Sequence, residues 1–221
     1  MGAFLPILNT SAGVSGFARF PCSVPRIQLH PMTIVSEIFE HNRTFIASRE
    51  YEALRTDQFP NKKLVVLTCM DTRLVELLPR AMGFRNGDVK LVKNAGAIVS
   101  HPFGSVMRSI ILAIYELHAD EVVVVGHTGC GMTGLSCERV LEKVRARGIS
   151  QEVLATLGHS GIDLAQWLKG FEHVEDGVFQ SVGVIRNHPL LPRDVPVHGM
   201  LMDSDSGALK LIVDGYGNDK R

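Results

Sequence analysis

Three short apolar runs constrain the fold more than anything else in the chain. They are Lys63-Leu-Val-Val-Leu-Thr68, Asp88-Val-Lys-Leu-Val-Lys93 and Glu121-Val-Val-Val-Val-Gly126. The first and third have no polar residue inside them, which is the pattern of a strand covered on both faces rather than one. Asn86-Gly87 turns the chain into the second run. Between the runs the period changes. Leu74 to Met82 reads as a short helix, with Pro79 limiting its regularity and Gly83 near its stop, and Val106, Ile110, Ile114 and Leu117 form the stripe of a longer one. Further helical segments are expected around 135–147, 150–157, 160–170 and 175–187. Val195 to Met202 is a fourth strand, and the polar turn Asp203-Ser-Asp-Ser-Gly207 leads into an antiparallel partner at Leu209 to Val213. Strands alternating with helices predict an α/β fold. Its central sheet has four mainly parallel strands and an antiparallel C-terminal edge strand, with helices on both faces.

Upstream, Ile34, Val35, Ile38, Phe39, Phe45 and Ile46 recur at helical spacing, so residues 32–221 are read as a single domain. Residues 1–31 differ from the rest. They contain no Asp or Glu, only Arg19 and Arg26 as charges, and the prolines Pro6, Pro21, Pro25 and Pro31. A transit peptide, an arm that wraps a partner subunit, and sequence upstream of a start at Met32 all fit this N-terminal extension. The last is preferred, because Met32-Thr33 opens directly into the helical pattern. A secretory signal fits less well, since no basic residue precedes the apolar stretch and Pro6 interrupts it.

Charge excludes several classes of partner. The 23 Lys+Arg balance the 23 Asp+Glu, so there is no electrostatic footprint for nucleic acid or anionic lipid. No run approaches the roughly 18 apolar residues of a membrane span. A small molecule is the expected partner. Four cysteines, at 22, 69, 130 and 137, are too few for a disulfide-built scaffold. They point to a reducing compartment, the cytoplasm, or an organelle if residues 1–31 are a transit peptide.

In open parallel sheets ligands collect beyond the carboxyl ends of the strands. The first strand is followed by Cys69-Met-Asp71-Thr-Arg73, the second by Asn94-Ala95-Gly96, and the third by His127-Thr-Gly-Cys130-Gly131. Cys69, His127 and Cys130 make a Cys₂His set compatible with tetrahedral zinc, and the fourth position falls to Asp71 or to water. Three protein ligands with an open position is the catalytic arrangement. Each residue alone has a plainer reading: Cys69 as a small core hydrophobe, His127 as a turn histidine, Asp71 as a helix cap. Together, on adjacent strand ends, they favour a site. Asp71 beside Arg73 stays ionised and oriented. Asn94, Ala95, Gly96 and Gly131 are candidate substrate contacts, small positions where backbone passes close to a ligand. His101, His188 and His198 are better read as satisfied or exposed histidines than as proton relays, and Cys22 and Cys137 as structural or incidental. There is no phosphate-cradling or dinucleotide glycine motif.

In identity, order and approximate spacing, Cys69-Met-Asp71-Thr-Arg73-Leu, Asn94-Ala-Gly96 and His127-Thr-Gly-Cys130-Gly resemble the beta-class carbonic anhydrases. The similarity covers about residues 34–215, and the short connections are closer to the compact bacterial and archaeal branch than to plant-type enzymes. The resemblance implies one zinc ion per subunit held by Cys69, His127 and Cys130, with Asp71 and Arg73 as the catalytic dyad. It implies reversible hydration of carbon dioxide to bicarbonate and a proton. It also implies an obligate homodimer, often a dimer of dimers, with the active cleft near the subunit interface. Plant-type members carry a glutamine before the first strand that helps hold bicarbonate; the nearest here, Gln58, is out of register and is not assigned that role. A branch of the same family hydrolyses carbonyl sulfide or carbon disulfide with the same ligands. A non-catalytic zinc- or bicarbonate-binding protein is a third reading, and the presence of both Asp71 and Arg73 counts against it.

Overall fold

A computed structural model describes residues 33–217. The N-terminal extension and Cys22 therefore lie outside the described residues. The valine-rich runs form β1 (Leu64–Cys69), β2 (Val89–Asn94) and β3 (Glu121–His127), and the chain later adds β4 (Val197–Met202) and β5 (Leu209–Val213). Across the sheet the order is β2-β1-β3-β4-β5. β1 pairs parallel with β2 and β3, β3 pairs parallel with β4, and β4–β5 is antiparallel. The mainly parallel sheet with an antiparallel edge is thus the one expected.

Position in the sheet explains the sequence of each strand. In β1 and β3, each flanked on both sides by parallel strands, every residue after the first is buried. β2 is an edge strand that no third strand pairs with, and it interleaves Lys90 and Lys93 with its apolar residues, a pattern that discourages further strand pairing. Alternate side chains serve opposite faces. Val65, Leu67, Val122 and Val124 meet α3 (Ser105–Tyr115) and α7 (Val174–Arg186) through Met107, Ile110, Val178, Val182 and Ile185. Val66, Val123 and Val125 meet Leu74 and Leu78 of α2 (Leu74–Ala81) on the other face.

Between β3 and α7 run α4 (Cys137–Ala146), α5 (Gln151–His159) and α6 (Leu164–Leu168). The segment expected over 160–170 is shorter than its pattern. Asp163 caps the Gln166 amide at 3.0 Å, and Lys169 is already extended, which confines the helix to a single turn or so. β4 begins at Val197, two residues later than expected. A turn closes with Val195 N donating to Pro192 O, and Pro196 has no N–H to give the ladder.

Upstream, α1 (Ile34–Ser48) starts at a capping box between Thr33 and Ser36 and stops at Arg49 in the left-handed region. Contacts divide the chain into one unit ending at Ala53 and another beginning at Leu54. In the first, Ile34, Val35, Ile38, Phe39 and Ile46 form an exposed apolar stripe, and no residue of α1 is buried.

Gly126 lets α7 lie close on the sheet. A Cβ there would sit 2.7 Å from both Val174 Cγ1 and Val178 Cγ2, two stiff side chains. Gly126→Val should destabilise the fold by about 2 kcal/mol through overpacking. That corresponds to a thermal midpoint roughly 4–8 °C lower in a chain of this size, measurable by differential scanning calorimetry. An unchanged midpoint would mean that α7 is free to shift.

Each of the three site strands also runs one residue further than its apolar pattern. Met70 N donates to Asn94 O at 2.8 Å and Thr128 N to Met202 O at 3.0 Å, so the ladder continues past the candidate residues. Cys69, Asn94 and His127 are therefore the last residues of their strands, not the first of their loops. Rigid pairing fixes them: Cys69 is in register with Asn94, and His127 with Met202.

Candidate active site

At the carboxyl edge of the sheet, β1 ends in Cys69, β3 ends in His127, and the turn after β3 supplies Cys130. All three are buried, and one ligand atom from each lies within 4.8 Å of the others. The two sulfurs are 3.9 Å apart, too far for a disulfide. Two thiolates on one tetrahedral zinc at about 2.3 Å would lie roughly 3.8 Å apart, so the spacing suits that ion.

The imidazole is oriented by its own loop. His127 Nδ1 lies 2.9 Å from Thr128 O, and since a carbonyl only accepts, Nδ1 carries the proton. The lone pair is then on Nε2, which is fully buried and has no hydrogen-bond partner among the described residues. A buried acceptor without a donor is costly. A cation at the centre of the cluster removes that cost, and the donor set fits a borderline-soft divalent metal.

Protonation follows from the same crowding. With protons alone to share, the two sulfurs compete for one, which lowers the pKa of Cys69 and raises that of Cys130 from the ordinary thiol value. Interaction with Cys69 raises His127. Gly96 N also points at Cys69 Sγ, at 3.4 Å.

Asp71 and Arg73 stand beside the cluster. Arg73 Nε donates to Asp71 Oδ1 at 3.0 Å and Nη2 to Oδ2 at 2.9 Å, a bidentate clamp, while the Arg73 amide also donates to Oδ1 at 2.9 Å. The carboxylate therefore closes the turn that leads into α2 and grips the guanidinium at once. These bonds to Arg73 hold the Asp71 carboxyl well below the usual carboxylate range. Its Oδ2 lies 3.9 Å from His127 Nε2.

The small residues divide. Gly96 adopts φ +76°, and a Cβ on it would meet Met132 Cγ at 2.9 Å and Ile98 Cδ1 and Phe171 Cε1 at 3.1 Å. Glycine is required there by conformation and by space. Asn94 spends its side-chain amide on the loop, with Nδ2 donating to Ile98 O and Oδ1 accepting from Ile98 N. Ala95 is half-buried in that turn, and Gly131 is exposed, with nothing within 4 Å of a Cβ. Gln58 is far along the sheet: its carbonyl accepts from Lys90, near the amino end of β2. His101, His188 and His198 each accept a backbone amide at Nδ1. Cys137 is buried at the start of α4, outside the cluster. A cavity of about 770 Å³, lined by Arg186, His188 and Arg193 among others, contains none of Cys69, Asp71, Arg73, His127 and Cys130.

Sequence reasoning missed Thr128, Ser204 and the Gly129 carbonyl, which complete the surroundings of Arg73. The sequence carried a positional signal alone. Ser204 follows the fourth parallel strand just as Asp71 follows the first, so it belongs to the same edge.

The sequence profile of the carbonic anhydrase family matches residues 64–209, which take in β1 to β4 and every residue of the cluster. The chain belongs to the beta-carbonic anhydrase family. Bacillus subtilis (strain 168) YtiB, named as a candidate carbonic anhydrase, is 56% identical over 187 residues, 85% of this chain and 100% of that one. Among solved structures, beta-carbonic anhydrase isoform I of Trichomonas vaginalis superposes with a TM-score of 0.77 at 30% identity, covering 84% of this chain and 100% of its own. A carbon disulfide hydrolase of Acidianus sp. (strain A1-3) is 29% identical over 174 residues, 73% of this chain and 83% of the relative. The beta-carbonic anhydrase family thus includes more than one chemistry. No helix among the described residues is long and apolar enough to cross a membrane.

Proposed function

We propose that the protein is a zinc-dependent, cytoplasmic carbonic anhydrase that interconverts carbon dioxide with bicarbonate and a proton. The observation that carries this reading is the buried Cys69–His127–Cys130 cluster with a clamped carboxylate, Asp71, at its side. A zinc ion held there would acidify a water molecule from about 15.7 towards neutrality, less strongly than in an all-imidazole site because two thiolates cancel its formal charge.

The chain's own residues do the rest. Asp71, kept anionic by Arg73, offers its oxygens as acceptors, so that a water beside the cluster donates to it and turns a lone pair towards substrate. Ile98, Met132 and Phe171 pack with Cys69 and Cys130 and make the surroundings of the cluster apolar, as suits an apolar substrate. The Gly96 amide donates to Cys69 Sγ and so favours that sulfur as a thiolate ligand. A homodimer or dimer of dimers is part of the reading, supported by the apolar stripe that α1 leaves exposed.

One preparation tests these points together. Metal analysis should find about one zinc per chain. Stopped-flow hydration should rise between about pH 7 and 9 in ample buffer, and sedimentation should give at least a dimer. Turnover should be faster on carbon dioxide than on carbonyl sulfide or carbon disulfide. The Acidianus relative makes carbon disulfide, and with it the chemically similar carbonyl sulfide, the second reading, and a reversed preference would establish it. Zinc without turnover on any of the three would favour a binding protein.

A further inference from the structure

We infer that Ser204 is a positioning residue that, together with Thr128, anchors Arg73 and thereby fixes where Asp71 is held. The kinetic consequence rests on the anhydrase reading, whereas the anchor itself rests on geometry alone.

Arg73 is nearly half exposed, with 42% of its side chain open to solvent. An ion pair so exposed is worth little unless something fixes its geometry. The far side of this guanidinium is fixed twice. Nη2 donates to Gly129 O at 2.9 Å, and Nη1 donates to Ser204 Oγ at 3.1 Å. Ser204, by contrast, is buried. An arginine nitrogen only donates, so Ser204 Oγ accepts from it, and the serine proton is free for Thr128 Oγ1, 3.2 Å away.

The backbone is held as tightly. Ser204 N donates to Thr128 Oγ1 at 3.0 Å. The turn around it is built on Asp203, whose Oδ1 accepts from Asp205 N at 3.2 Å, from Ser206 N at 2.8 Å and from Ser206 Oγ at 2.7 Å. Residues following β1, β3 and β4 are thus tied into one network. Thr128 also reaches the ligand cluster, because its carbonyl orients His127.

Why an anchor is needed follows from where Asp71 sits. Its Oδ2 is 3.9 Å from His127 Nε2, close enough that a freed carboxylate would crowd the ligand cluster. Arg73 holds it back only while the guanidinium stays in place. Ser204 and Gly129 do not touch the cluster's ligand atoms; they act through Arg73.

The test compares Ser204→Ala, Ser204→Thr and Arg73→Ala, singly and with Ser204→Ala combined with Arg73→Ala, in the zinc-loaded enzyme. Losing a hydrogen bond to a charged group should lower kcat of Ser204→Ala roughly tenfold, with KM and zinc content unchanged. Ser204→Thr keeps the hydroxyl and should retain most of the activity. In the Arg73→Ala background, removing the Ser204 hydroxyl should change kcat less than about twofold. An equal loss in both backgrounds, or none in either, would overturn the proposal. A second readout needs no catalysis: rotation of the Arg73 guanidinium about Nε–Cζ, followed by nitrogen-15 NMR. It should be slow in the parent and faster in Ser204→Ala; equal rates would also overturn the anchor. If the parent hydrates no carbon dioxide but the rotation rates differ, the anhydrase reading fails and the anchor stands. If Ser204→Ala does not fold, Thr128→Val, which removes the group that holds Ser204, carries the same rotation measurement.

Discussion

Asp71→Ala should reduce carbon dioxide hydration by at least about 100-fold while leaving roughly one zinc per chain. The size follows from the role: a positioned carboxylate that accepts a proton or a hydrogen bond in the reaction contributes about 10²–10⁴. Zinc is retained because the three clustered ligand atoms come from Cys69, His127 and Cys130, whereas Asp71 is committed to Arg73. Stopped-flow kinetics with elemental analysis of the same sample checks both halves. Full activity would remove the carboxylate from the mechanism, and lost zinc would make it a ligand. A stability effect accompanies the kinetic one. Hydrogen bonds from Arg73 lower the Asp71 pKa in the folded protein. The group therefore stabilises the fold above its unfolded value of about 3.9, and that contribution is lost as pH falls towards the folded one. The melting difference between parent and Asp71→Ala should thus be present at neutral pH and shrink below about pH 4.

Much of this site is legible without coordinates because its residues are local to strand ends. Cys69 and Asp71 lie at one strand end, His127 and Cys130 at another, and a parallel sheet brings such ends to one edge whatever the helices between them do. Thr128 and Ser204 were not legible in the same way. Ser and Thr are ordinary residues in turns, and nothing in Asp203-Ser-Asp-Ser-Gly207 marks one hydroxyl as facing a guanidinium contributed from a residue far earlier in the chain. That partnership exists only once β4 lies beside β3. Asn94 shows the converse. A polar residue at a strand end reads as a substrate contact, yet its amide is used in holding the turn that shapes Gly96.

The fold was legible for a related reason. β1 and β3 are buried on both faces, so their sequences carry no polar interruption and their type is unambiguous. The boundaries were not. A strand end depends on whether the neighbour continues the ladder, which moved Cys69, Asn94 and His127 inside their strands. The helical excursion between β3 and α7 was the weakest part. Apolar spacing over 160–170 implied a longer helix, but the Asp163 cap sets its start, and packing decides its end.

Cys69→Ser should lower zinc content from about one equivalent to below roughly a tenth, and activity with it, whereas Cys137→Ser should leave both intact. Both thiols are buried and free of disulfides, so burial alone does not separate them. What separates them is company. Cys69 Sγ is 3.9 Å from Cys130 Sγ and accepts from Gly96 N, while Cys137 caps no such cluster. Serine keeps the shape, but its hydroxyl does not ionise near neutrality, so the centre loses a thiolate and half of the charge that balances a divalent ion. Binding zinc also requires the proton that Cys69 and Cys130 share to leave. Metal release should therefore be promoted by acid in the parent, with zinc occupancy falling as pH drops and the thiols regain protons. Inductively coupled plasma analysis after equilibration across pH measures this directly. A Cys69→Ser protein that kept a full equivalent of zinc and its activity would move the metal centre elsewhere. Equal loss in Cys137→Ser would show that the cluster depends on the packing of α4 rather than on its own three ligands.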